Sequence, residues 1–121
     1  MAVANLDTNK VRVDYQDKEI VHIVSTPLNA TAGGEFTVSN PSERTILVIE
    51  NADTTNSEQV TIKAPAKAVM GAGTGFPDRT FTIPKATTVA VMVEALRYMD
   101  ADTKKITIKG SADVKVTVVQ L

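Results

Sequence analysis

The sequence predicts an all-β chain: a single-domain β-sandwich of about eight short antiparallel strands, jelly-roll or immunoglobulin-like, with an N-terminal arm. Three observations carry this reading. The 121 residues include 16 Val, 16 Thr and 8 Ile, and branching at Cβ favours the pleated strand over the helix. Apolar and polar residues alternate with a period of two in one short run after another, separated by Gly, Pro, Asn, Asp and Ser. No amphipathic stretch is long enough to hold a helix, and no internal repeat or low-complexity tract divides the chain. The length suits one domain, since these most often run to about 100–150 residues.

Residues 1–10 form an uncommitted arm, extended or ordered on binding, and residues 11–121 form the sandwich. Val11, Val13 and Tyr15 alternate with Arg12 and Asp14 as a short strand. Residues 20–24 are nearly all apolar, which fits a strand covered on both faces, and Ser25-Thr26-Pro27 ends it. Asn29 to Gly34 is a turn, followed by a strand with Phe36 and Val38 on one face. Residues 45–51 read as the central strand, because Ile46, Leu47, Val48 and Ile49 populate both faces. After the polar loop 51–57, Val60 and Ile62 point inward. Residues 64–78 form a long glycine-containing loop without a strand period. Residues 79–84 and 87–94 then read as a hairpin through Phe81, Ile83, Val89, Val91 and Val93. The segment Ala95 to Tyr98 allows one helical turn at a corner between sheets, and KITIK with VKVTVVQL closes the chain as a second hairpin.

Composition narrows the function. With 13 basic and 14 acidic residues interspersed and a net charge of −1, the chain offers no field for phosphate backbones or anionic lipid, so neither nucleic acid nor membrane is an expected partner. No basic start followed by an apolar run and no span of about 18 apolar residues is visible, which points to synthesis in a cytoplasm. The absence of cysteine agrees with that and removes disulfides and thiolate chemistry. Aromatic residues are limited to Tyr15, Phe36, Phe76, Phe81 and Tyr98, which disfavours the stacking platforms of most sugar-binding modules.

Catalytic and metal constellations fail in turn. His22 is the sole histidine and lies in an apolar strand, so it makes a poor triad base, and one His without Cys cannot build a structural zinc site. The glycines around Gly71–Gly75 resemble a phosphate loop, but no helix follows to face a phosphate. Gly33-Gly34-Glu35-Phe36 reads as a turn entering a strand. Asp100 and Asp102 supply too few oxygens for calcium and are followed by Lys104 and Lys105, so a solvated corner is the better reading. Glu50 and Glu94 mark strand ends. No catalytic residue, cofactor or metal ligand is assigned, and an enzyme is the least supported class.

Surface contacts remain. Three regions carry candidate partner-binding residues: the arm with Val3, Leu6 and Lys10, the glycine-rich loop with Met70 and Phe76, and the corner with Arg97, Tyr98 and Met99.

From Thr45 to the C-terminus, the succession RTFTIP, TTVAVMVEALRYMDADTKKITIKG and VKVTVVQL resembles small bacteriophage virion proteins of the head-decoration or cement type. The likeness lies in the order of strands and turns: a valine-rich strand, an aromatic before an acidic corner, and a terminal valine hairpin. It implies a virion protein made in the bacterial host cytoplasm and bound to the capsid surface, where its partner is the major capsid protein, with a homo-oligomer possible. The arm and the glycine-rich loop have no counterpart in that pattern. Two other readings stand beside it: a carbohydrate-binding or adhesion module, and a tail-tube or other ring-forming subunit.

Overall fold

The computed structural model describes residues 3–6, 8–10, 25–38, 41, 44–67 and 77–120. The strands proposed for 11–15 and 20–24, His22, and the glycine-rich loop with Met70 and Phe76 lie outside these residues.

The strands are β1 (Ala4–Asn5), β2 (Thr8–Lys10), β3 (Thr26–Pro27), β4 (Gly34–Thr37), β5 (Thr45–Asn51), β6 (Glu58–Ile62), β7 (Arg79–Ile83), β8 (Thr88–Val93), β9 (Lys105–Lys109) and β10 (Val114–Gln120). A single turn of helix, α1 (Ala95–Tyr98), precedes β9. One sheet runs β1-β4-β9-β6-β7; the other runs β2-β10-β5-β8, with β3 also on β10. From β3 to β10 every neighbouring pair is antiparallel. Counted along this run, one sheet holds the first, eighth, third and sixth strands and the other the second, seventh, fourth and fifth. This is the strand order of a jelly roll, which decides between the two sandwich topologies the sequence leaves open.

Alternation sets the inner faces. On β5, Thr45, Leu47, Ile49 and Asn51 point inward, opposite Gln120, Val118, Val116 and Val114 of β10. Phe36, Val60, Ile62, Ile83, Ile106 and Ile108 meet them from the other sheet, all buried. Each such side chain contributes roughly 1.5–3 kcal/mol relative to exposure. Because the inner faces are aliphatic, the sheets interlock without an aromatic centre. As its composition implies, β5 is central in its sheet, with Ile46 and Val48 half-buried on the outer face.

The arm reaches both sheets. Its described residues add parallel strands, β1 to β4 in one sheet and β2 to β10 in the other. Ala4 N–H donates to Gly33 O at 3.1 Å and Leu6 N–H to Glu35 O at 2.9 Å. Leu6 is itself buried in the core. Two adjacent glycines make this possible. Gly33 adopts φ +76°, and a Cβ there would strike Ile108 O; a Cβ on Gly34 would lie 2.7 Å from Leu28 Cδ2 and 3.2 Å from both Leu6 Cδ atoms. The doublet is therefore a turn and a socket together. Residues 4–5 and 8–10 thus belong to the two sheets, on one side of the sandwich.

Asn51 joins the two sheets at one end. Its buried Nδ2 donates to Ile83 O and Asn56 O, both at 3.1 Å, and to Pro84 O at 3.3 Å, while Oδ1 accepts from Asp53 N at 3.0 Å. Asn51→Ala removes all four of these side-chain bonds and is expected to cost about 1–3 kcal/mol in urea unfolding, with the m-value unchanged. A loss below about 0.5 kcal/mol would mean the link carries no stability.

Candidate interaction surface

The jelly roll sorts its connections to two ends. Turns 28–33, 51–57, 84–87 and 110–113 gather at one, tied by Ala52 N to Asp113 O and Ala86 N to Asp53 O, both 2.9 Å. The other end collects the connections from β4 to β5, β6 to β7 and β8 to β9. The long loop leaves the sandwich there, and α1 sits there.

This corner is built by backbone bonds around Asp100. Its Oδ1 accepts from Asp102 N at 2.9 Å and Thr103 N at 3.1 Å, and Oδ2 from Lys67 N at 3.3 Å. Ala101 N donates to Lys67 O at 2.8 Å, and Lys67 Nζ lies 3.5 Å from Asp102. Lys104, at φ +61°, turns the chain back into β9. The other side of the loop is held by Asp78, which pairs with Lys63 Nζ at 2.7 Å and accepts from Ala64 N. The Asp100–Asp102 pair thus stabilises a corner, and Asp100 spends its lone pairs on three N–H groups.

Two clefts flank α1. An apolar one of about 450 Å³ is lined by Pro41, Arg44, Met92, Val93, Glu94, Ala95 and Leu96. Met92 is 60% exposed, the one large exposed hydrophobic among the described residues. Arg97 pairs with Glu94 at 2.8 Å on its rim. A polar cleft of about 320 Å³ opens across the other sheet, where Glu35 pairs with Lys105 at 3.0 Å beside Lys63, Tyr98, Asp100 and Thr107.

The candidate contact residues separate. Arg97 is exposed and Tyr98 half-buried, so both remain on the surface, and Val3 is half-buried beside β1. Lys10 pairs with Gln120 in the β2–β10 register. Met99 is buried, as is Leu6. Both belong to the hydrophobic core, Met99 beneath the corner and Leu6 beside β1. The apolar cleft was missed, although Met92 alternates with the inward Val91 and Val93 and so points outward. The polar cleft left no signal, because its members come from four separate segments.

Among the described residues one group of carboxylates has metal-binding spacing: Asp53, Glu58 and Asp113, with ligand oxygens within 4.8 Å of one another, at the end opposite α1. Asp53 accepts from Thr55 N and Asn56 N, which hold its pKa below the ordinary value of 3.8 and make it the cap of its own loop. No helix among the described residues is long and apolar enough to cross a membrane.

No family model matches the chain, and neither the curated proteins nor the solved structures give a significant match.

The corner responds to pH with a definite sign. The N–H groups of Thr103 and then Asp102 favour the Asp100 carboxylate, and its pKa falls below 3.8. A lowered folded-state pKa means the bonds are fully present above the unfolded value and fail as pH drops through the folded one. Amide exchange at Lys67 and Thr103, measured by NMR, is expected to accelerate only below pH 3.8, and Asp100→Asn to remove that step. An acceleration already complete above that pH contradicts this corner.

Proposed function

We propose that the chain is a non-catalytic structural virion protein that binds the outer surface of a phage capsid, contacting the major capsid protein through the corner around α1. One observation supports the choice of surface above others: the apolar cleft with Met92 and Leu96 at its floor and Arg44, Glu94 and Arg97 at its rim. An apolar pocket bordered by arginine is the arrangement that carries most binding energy in protein interfaces. The scaffold suits the role, since a jelly roll presents its loops from a rigid sandwich and this one needs no disulfide. The likeness in strand order to decoration proteins supplies the identity of the partner.

The polar cleft favours a second reading. Glu35, Asp100, Lys105 and Tyr98 around a hollow of about 320 Å³ supply donors and acceptors suited to a glycan, as in an adhesion module.

Co-sedimentation with empty shells of the phage that encodes the chain tests the proposal. The wild type is expected to pellet with the shells. Arg97→Glu and Leu96→Glu, which leave the core untouched, are each expected to weaken binding by about tenfold or more. Binding unaffected by both variants, or failure of the wild type to pellet alongside specific binding on a glycan array, would overturn the assignment.

A further inference from the structure

We propose that the edge of β8 left unpaired among the described residues is a self-recognition surface, and that two copies of the chain join there as antiparallel strands into one continuous sheet. This goes beyond the capsid-binding reading and does not depend on it.

The two open sides of the sandwich are treated differently. On one, the N-terminal segment adds β1 and β2 to the sheet edges and inserts Leu6 between them. The other is bounded by β7 and β8, and among the described residues β8 pairs with β5 alone. An unpaired edge is a template for another strand, and proteins usually blunt it with charge or proline. The β7 edge is blunted: it starts at Arg79, whose guanidinium lies 5.9 Å from the Phe81 ring, next to the Asp78–Lys63 pair. The β8 edge is not. It reads Thr88-Val89-Ala90-Val91-Met92-Val93, with no charge and no proline.

Hydrogen bonding assigns the free groups. Asn51 N donates to Thr87 O, and Asn51 lies opposite Thr87 once the β5–β8 register is continued by one residue. Odd-numbered residues of β8 therefore bond β5, and Thr88, Ala90 and Met92 direct their N–H and C=O groups away from it. A two-fold axis at Ala90 places Ala90 opposite its own copy and Thr88 opposite Met92. All three positions then form hydrogen-bonded pairs, and both copies keep the same residues on the inner face.

The side chains agree with that register. Val89 and Val91 point inward yet remain partly exposed, because nothing described covers the core along this edge. Opposing them to Val91 and Val89 of a second copy extends the core across the junction. The strand carries no charge to repel itself. Self-complementarity of this kind is what a closed two-fold interface requires. The axis stands perpendicular to the sheet, so both copies turn Met92 to the same side.

Sedimentation velocity of the full chain across a concentration series tests the inference. A monomer–dimer equilibrium is expected. Ala90→Pro removes an N–H that the β5 ladder does not use, and should leave the circular dichroism spectrum unchanged while abolishing the dimer. As the natural chain has no cysteine, Ala90→Cys should oxidise to a covalent dimer, while Ala112→Cys, in the turn at the far end of β10, should not. A wild type that stays monomeric at all concentrations would overturn the inference. A dimer that survives Ala90→Pro, or equal cross-linking at the two positions, would do so as well.

Discussion

The molecule depends on the pairing of β5 with β10. Seven consecutive residues of each strand match, from Thr45 with Gln120 to Asn51 with Val114, across some of the largest sequence separations in the chain. The register admits no slip. A shift of β10 by one residue would turn Val114, Val116 and Val118 away from the core and bring Lys115, Thr117 and Val119 to face it. Once this pair is in place, β8 has an edge to join and β2 and β3 have another. The inner aliphatic face it creates is what β4, β6 and β9 cover.

The same pair transmits order to the two ends. At one, Asn51 converts the end of β5 into a link with β7 and seats the polar turns. At the other, Thr45 and Gln120 lie side by side in the buried layer beneath the corner. Gln120 Nε2 reaches Thr45 Oγ1 at 3.4 Å, and Gln120 Oε1 has no hydrogen-bond partner among the described residues. An unpaired buried oxygen costs about 1–3 kcal/mol. The packing cost therefore falls at the end that carries α1 and its clefts, while the opposite end is fully bonded through Asn51. Stability is concentrated where the turns are short, and surface shape where the connections are long.

Much of the fold was legible in the sequence because a half-buried strand writes its own period. Val114, Val116 and Val118, or Val60 and Ile62, announce their inner face with no knowledge of their neighbours. The sheet order was not legible, since a jelly roll and an immunoglobulin-like sandwich place the same alternating strands in different sheets. The pairing of residues 4–5 and 8–10 was not legible for a related reason. Parallel strands of two and three residues leave no period to detect, and the cue lay instead in Gly33 and Gly34, whose missing side chains make room for residues far away in sequence. Of the candidate surface, Arg97 and Tyr98 were singled out by residue type alone, and both reach the surface. The clefts beside them were not, because each is assembled from segments brought together only by the fold, as are Asp53, Glu58 and Asp113.

The central functional claim is that the α1 end, and not the turn end, meets the partner. Hydrogen exchange read by mass spectrometry on the free and the shell-bound protein tests it most directly. The account predicts slowed exchange over residues 91–104 and around Arg44 on binding, with loops 51–57 and 110–113 unchanged. Protection confined to those two loops would contradict it.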